Sequence, residues 1–388
     1  VQQIRQLTKA DYGDIFALSQ FAFQYELSEA ALAKKEEEAN RHAIWGWMVD
    51  EQLAAKMHIV PLSCYIHERE FAMGGISSVA TWPEHRRKGL VKDLLYHGLE
   101  QMKKNGQTLS FLHPFSVPFY RKFGWELTFT EKHYSIPIEK LRGSWNPAGY
   151  VRRIHRDIPL LHKIYSSYAK KFSGTLIRDE KWWEQRVLKD DQHIAVAYNE
   201  KNHAEGYVIY RVKNNTFSVS EIAYTSINGW KLLLQFITNH DSMVEKIDMV
   251  APESDHLSLL VDEPRFEQRI IPYFMARIVD VLTFLKKYPF ENKLSDDNLV
   301  LHVEDSFFQQ NSGTYQLDRE GNIERIHVNQ TDAKVGVHCT IQMLTSMFLG
   351  YKRPFELYQV GLVKGDERSV SELEQMIPNQ QTFFADFF

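Results

Sequence analysis

Apolar residues recur along this chain in two rhythms, every third or fourth position and every second position, and the rhythms alternate from the start. Such alternation predicts helices and strands mixed along the chain, an α/β (α+β) fold. Residues 11–22 have helical spacing, with Thr8 as candidate N-cap. Residues 29–41 predict a second helix, whose run Lys34-Lys35-Glu36-Glu37-Glu38 is expected to be a solvated face. Strands are predicted at 53–61, 67–73 and 76–81. Residues 90–104 form an amphipathic helix through Leu90, Val91, Leu94, Leu95, Leu99 and Met102, stopped by Asn105-Gly106. A short buried strand follows at 108–112.

Residues 143–149 hold Trp145, Asn146 and Pro147 between two glycines, which marks a turn or linker. Beyond it come a helix at 157–173, a strand at 194–198, a hairpin of 206–213 and 216–224 around Asn214-Asn215, and a helix at 230–240. That order resembles a degraded copy of the first part. A second boundary is expected near Tyr288-Pro289. After it come strands at 298–303, 313–317 and 323–328, with Gly321-Asn322 as a turn, and an apolar helix at 340–349 ended by Gly350. The expected units are 1–150, 151–288 and 289–388. The chain closes Phe383-Phe384-Ala385-Asp386-Phe387-Phe388. Chain ends are usually mobile and polar, and aromatic rings bury large areas, so this tail is expected to dock inside the protein.

The 388 residues, 44% hydrophobic and 25% charged, suit several globular domains and exclude wholesale disorder. A net charge of −4 is not a nucleic-acid-binding balance. No run of eighteen apolar residues occurs, and the most apolar stretch, 270–285, is broken by Arg277 and Asp280. No membrane partner is therefore expected. The first residues lack a secretory segment, so a cytoplasmic protein is expected. Cys64 and Cys339 lie far apart and sit in apolar runs, which argues against a disulfide framework and for two buried thiols. The sixteen histidines show no His-Glu-x-x-His spacing, and no metal is expected.

One stretch carries chemistry. Residues 76–91 read strand, Pro83 turn, basic loop Arg86-Arg87-Lys88-Gly89, then the start of the helix at Leu90. A helix N-terminus offers unpaired N–H groups and partial positive charge, a seat for a pyrophosphate. Gly89 permits close backbone approach, and the three cations add charge. By itself such a loop reads rather as a charged turn before a surface helix. Downstream stands Phe115-Ser116-Val117-Pro118-Phe119-Tyr120-Arg121-Lys122-Phe123-Gly124-Trp125, one helix and one strand away.

The first stretch resembles the Arg/Gln-x-x-Gly-x-Gly/Ala motif of the GNAT superfamily, with Val91 in place of the final Gly or Ala. The second resembles that superfamily's Phe-Tyr-x-Lys-x-Gly-Phe signature. Taken whole, the chain is similar to the enhanced-intracellular-survival (Eis) type of acetyltransferase. The segment Lys181-Trp182-Trp183-Glu184-Gln185-Arg186 fits its second domain. The resemblance implies two fused GNAT domains, the second without a CoA site, and a sterol-carrier-like domain. It implies acetyl-CoA as co-substrate, bound by Val79, Ala80, Thr81, Arg86, Arg87, Lys88, Gly89, Leu90, Val91, Lys92, Phe115 and Ser116. Tyr120 is then the acid that protonates the departing thiolate, and the α-carboxylate of Phe388 is the proton acceptor. That last role requires position 388 to be the native end. An α-carboxyl ordinarily titrates near 3.5, so it also requires burial or a water relay. Asp386 and, more weakly, Glu26 are the expected acids for a polyamine or aminoglycoside-like substrate. A homo-oligomer, a hexamer of two trimers, is implied as well. The implied reaction is direct acetyl transfer to a primary amine. Two alternatives remain open: a non-catalytic CoA- or lipid-binding protein acting through the sterol-carrier-like domain, and transfer of a longer acyl chain.

Overall fold

The computed structural model describes residues 2–142, 145–291, 298–327 and 335–388. Gly143 of the expected linker and Val328, the expected end of a strand, lie outside them. Strands in chain order are β1 (Gln2–Leu7), β2 (Ala43–Val49), β3 (Gln52–Ile66), β4 (Arg69–Thr81), β5 (Leu109–Leu112), β6 (Glu126–Leu127) and β7 (Thr130–Pro137). They continue as β8 (Tyr150–Ile154), β9 (His193–Tyr198), β10 (Ala204–Lys213), β11 (Thr216–Tyr224), β12 (Lys246–Ala251), β13 (Glu267–Pro272) and β14 (Met275–Ile278). The helices nearest the chemistry are α1 (Tyr12–Phe23), α2 (Glu29–Ala39), α3 (Leu90–Lys104) and α4 (Val117–Arg121).

The first sheet runs β1-β2-β3-β4-β5-β14-β6 and the second β13-β7-β12-β11-β10-β9-β8. A third, five-stranded sheet holds Leu299–Glu304 between Gly313–Leu317 and Val337–Thr340. It is covered by the helices Ile341–Leu349 and Glu367–Met376. The fold is thus mixed α/β with three sheets, as the periodicity predicts. The first two sheets exchange strands. β7, which precedes the expected cut near 150, lies in the second sheet between β13 and β12. β14 lies in the first, hydrogen-bonded to β5 on one side and β6 on the other. The apolar stretch 270–285 is explained by this, since every residue of β14 is buried.

The strand expectations change in two ways. β1, β2, β6, β7, β8, β12, β13 and β14 have no place in the expected list, and 67–73 and 76–81 fall in one strand. Gly74 and Gly75 stay in the ladder, opposite Pro61 and Val60. They are small because side chains lie over them: a Cβ on Gly74 would meet Met102 at 2.7 Å, and one on Gly75 would meet the Phe388 ring at 2.6 Å. The hairpin turn falls at His67-Glu68, both with positive φ.

Arg277 of β14 is fully buried and ion-pairs with Asp305, also buried, which joins the first sheet to the third unit. Burial, opposed by Asp305, leaves Arg277 down at about 10. Asp305 further accepts from the Phe308 N–H at 2.9 Å and from Asn311 Nδ2 at 3.1 Å. Asp305→Ala strands a desolvated guanidinium and is expected to destabilise the protein by about 3–5 kcal/mol. Urea unfolding checks this; an unshifted midpoint would show that the pair is dispensable.

Candidate active site

β4 and β5 run parallel and pair only from Met73↔Leu109 to Ile76↔Leu112. β5 ends there, while β4 continues to Thr81 with β3 alone as neighbour. The backbone edge of Ser77 to Thr81 therefore faces a gap, into which an extended ligand can add like a strand. A bulge sits in this stretch: Lys56 pairs with Ala80 but His58 with Ser77, so Ser78 and Val79 together oppose one residue. Ser78 has φ +51°.

Past the gap comes the basic loop. Arg87 (φ +62°) and Gly89 (φ +86°) both take left-handed conformations, and Gly89 is the N-cap of α3 with open space around it. Arg86, Arg87, Lys88 and Lys92 are exposed; Leu90 is buried in the core and Val91 half-buried. The Arg86 Nε donates to the Thr81 carbonyl at 3.4 Å. Unpaired N–H groups, exposed cations and a free edge on β4 fit a CoA pyrophosphate and pantetheine. The second unit differs at the same place. At the start of the helix Ile227–Thr238, the Glu205 carboxylate accepts from Ser226 Oγ (2.8 Å), Asn228 Nδ2 (3.0 Å) and Asn199 Nδ2 (2.8 Å). A fixed carboxylate there repels a phosphate.

A cavity of about 430 Å³ opens at the gap. Ile76 to Val79 form its floor, α1 and α2 supply Phe16, Phe23, Lys35 and Glu38, and Tyr120, Phe115, His113 and Phe388 close the other side. Val79, Phe115, Tyr120 and Phe388, four of the expected site residues, thus come together. Ala80, Thr81, Ser116 and residues 86–92 lie outside this cavity, on the path to the loop. Tyr120, on α4, is buried, and burial pushes its hydroxyl well up, so it stays protonated throughout the working range. Both cysteines are buried; burial holds the Cys64 thiol well above its usual range and pushes Cys339 up to about 12, so neither supplies a nucleophilic thiolate.

The tail enters between the first two units. The Phe383 N–H donates to the Ser173 carbonyl at 3.0 Å, and Tyr273 Oη donates to the Asp386 carbonyl at 2.9 Å. The Phe388 ring is buried against Gly75, Trp182 and Phe274.

Neither of the two expected substrate acids lines this cavity. Asp386 is buried, with its carboxylate held by Arg178 Nε at 3.0 Å and Trp182 Nε1 at 2.7 Å. Its second oxygen accepts from the same Arg178 Nε at 3.2 Å, so the carboxylate anchors the tail. Glu26 is exposed and does not line the cavity. The acidic side chain in the cavity lining is Glu38, from the run expected to be a solvated face. Its Oε2 is shared by Lys35 at 3.2 Å and Arg186 at 2.9 Å. Arg178 is the residue that sequence reasoning missed most completely. Its guanidinium also binds Glu221 at 2.9 and 2.5 Å and lies 3.8 Å from the centre of the Tyr165 ring.

Comparisons with known proteins agree with this geometry. Residues 3–128 match a family described as acetyltransferase (GNAT) domain, 174–278 a second family of that description, and 281–385 a sterol carrier protein domain. N-acetyltransferase Eis of Mycobacterium tuberculosis is 24% identical over 307 residues, 72% of this chain and 71% of that protein. An uncharacterized N-acetyltransferase of Streptomyces griseus is 24% identical over 267 residues, 60% and 62% of the two chains. Among solved structures, a probable N-acyltransferase of unknown function from Enterococcus faecalis superposes with TM-score 0.92 at 28% identity, covering both chains fully. Eis1 from Mycobacterium abscessus shares the fold at TM-score 0.82 and 19% identity, also over both full chains. Fold, site and domain matches together define an acetyl-CoA-dependent N-acetyltransferase of the GNAT superfamily. Within it the chain has two GNAT domains followed by a sterol-carrier-like domain, and it is similar to the Eis type. Among the described residues, no helix is long and apolar enough to cross a membrane.

Proposed function

We propose that this protein moves acetyl from acetyl-CoA directly to a single primary amine carried on an apolar body. The meeting of Tyr120 and Phe388 beside the free edge of β4 carries this reading. The loop 86–92 seats the pyrophosphate, and the edge of Val79, Ala80 and Thr81 pairs with the pantetheine amides. Phe115 and Ser116 flank the thioester. Backbone near Val79 holds the developing oxyanion. Where residue 388 is the natural end, the Phe388 α-carboxylate accepts a proton from the attacking nitrogen. Tyr120 then protonates the CoA sulfur.

Phe16, Phe23, Tyr25 and Phe115 line the acceptor side, and Glu38 is already shared by two cations. This supports an arylalkylamine over an aminoglycoside or polyamine, whose further ammonium groups would find no free carboxylate. Thiol release from acetyl-CoA is the test, with phenethylamine, spermidine, an aminoglycoside and a lysine peptide as acceptors. Release with phenethylamine above the others supports the assignment; preference for the aminoglycoside reverses the substrate class. A hexamer in the cytoplasm is proposed from the resemblance, and sedimentation as a stable monomer would remove it.

Gly75→Ala tests the docking of the tail. The new methyl would overlap the Phe388 ring, so the terminus must shift. A 1 Å displacement costs about 10²-fold in rate, and turnover is expected to fall by roughly that factor. Wild-type turnover in Gly75→Ala would detach Phe388 from the chemistry.

A further inference from the structure

Beside the acetyl site runs a chain of buried polar groups that the transfer step above does not use. Lys56 on β3 is 0% exposed. Its Nζ lies 2.9 Å from the Ser78 carbonyl, 2.6 Å from Ser78 Oγ and 3.3 Å from His58 Nε2. The other ring nitrogen of His58, Nδ1, lies 3.1 Å from His42 Nδ1. Ser78, His58 and His42 all line the acetyl-site cavity. An imidazole contacted at both nitrogens can take a proton on one and release it from the other.

The hydrogen-bond count supports two states. As an ammonium, Lys56 has three donors for these three acceptors, and His58 then donates from Nδ1 to His42. As a neutral amine, Lys56 offers a lone pair that accepts from Ser78 Oγ or from His58 Nε2. Either state leaves no member stranded. The partners of Lys56 are uncharged, and burial alone pulls it down to about 7. Burial, then the charges of Arg186, Arg41 and Lys35, puts His42 down at about 3; burial and then Lys56 hold His58 well below its usual value. The charged groups that face the chain are Lys35 and Glu38 from α2, Arg41, and Arg186, with Tyr120 and His113 across the cavity.

Proton accounting gives this chain a task, on the premise that the protein acetylates an amine. An ammonium and acetyl-CoA give an amide, CoA thiol and one free proton. The C–N bond forms and the C–S bond breaks with its electron pair on sulfur, which takes the Tyr120 proton. Of the two protons that the ammonium nitrogen loses, one goes to the Phe388 carboxylate and regenerates Tyr120. The other must leave the site. We propose that Ser78, Lys56, His58 and His42 form the relay that carries this proton from the substrate nitrogen to the water of the cavity. Ser78 Oγ accepts it while passing its own proton to neutral Lys56. Lys56 passes one to His58 Nε2, His58 Nδ1–H passes to His42 Nδ1, and the His42 cation gives its Nε2 proton to water.

Three variants separate relay from scaffold: Lys56→Arg keeps charge and donors but does not deprotonate, His58→Gln keeps hydrogen bonding without titrating, and Lys56→Met removes everything. The full chain is assayed with acetyl-CoA and phenethylamine across pH. Lys56 accepts a proton only when neutral, so wild-type kcat is expected to rise with pH through about 7. Lys56→Arg and His58→Gln are each expected to lose that limb and about 10²-fold in kcat, with KM for acetyl-CoA unmoved. A Lys56→Arg enzyme with wild-type kcat and pH profile overturns the relay and leaves Lys56 a structural clamp. The lysine ¹³Cε signal that Lys56→Arg deletes reads the same point without turnover. Titration near neutrality supports the relay, whereas protonation persisting into the ordinary lysine range overturns it. Absence of CoA release from every amine in the wild type would instead refute the acetyltransferase activity, with the Lys56 titration still standing.

Discussion

Arg178→Met is expected to lower kcat by about 10²–10³-fold while leaving acetyl-CoA binding intact. Arg178 is 1% exposed at its side chain and holds two carboxylates at once, Asp386 of the tail and Glu221 of β11. Burial already pushes Asp386 above the usual carboxylate range, against the pull of Arg178. Without the guanidinium, two desolvated carboxylates face each other. One must take a proton or the tail must leave. Removing one partner of a buried pair costs about 3–5 kcal/mol, of the order needed to undock a six-residue tail. None of this triad's hydrogen bonds reaches the loop before α3, so acetyl-CoA affinity is expected to hold. Calorimetric binding of acetyl-CoA beside steady-state thiol release checks both halves. Full turnover with only a lowered melting temperature would make the triad a stability device alone.

The second large effect is expected for Tyr120→Phe, a loss of about 10²–10⁴-fold in turnover at saturating acetyl-CoA. The ring stays in place, packed edge-on against Phe115 at 5.5 Å and Phe119 at 5.2 Å, so only the hydroxyl is lost. The wild type should show no alkaline fall attributable to this phenol below pH values where free tyrosine ionises, because burial favours its neutral form. Thiol release through a rapid-quench course separates chemistry from product release. An unchanged single-turnover rate in Tyr120→Phe would remove the residue from proton transfer.

The parts of the site that were legible in the sequence are local. The loop Arg86 to Gly89 and the start of α3 are adjacent in the chain, and their chemistry follows from a helix N-terminus and a left-handed glycine. Tyr120 is fixed by the short helix that begins after Ser116. The aromatic tail announced its burial through composition, and three of its four phenylalanines are buried, Phe387 alone staying exposed. What the sequence did not show is contact between residues distant in the chain. Asp386 was expected beside a substrate amine, and the structure pairs its carboxylate with Arg178, 208 positions away. Glu38 sat in a run that reads as solvated, and Arg186, from the second unit, pairs with it at the cavity. Lys56 and His58, two positions apart on one face of β3, carried a signal as polar residues inside a buried strand; what they meet depends on the bulge at Ser78.

By itself, then, the sequence determined the alternation of elements, the basic loop before α3, the short helix that carries Tyr120 and the docking of the tail, because each depends on neighbours within a helical turn or a strand. Tertiary structure alone decided the exchange of β7 and β14 between sheets, the lock of Arg178 on the tail and the charge of the acceptor cavity. Those depend on which surfaces meet when the units pack, and a buried charge takes whichever partner that packing brings within reach.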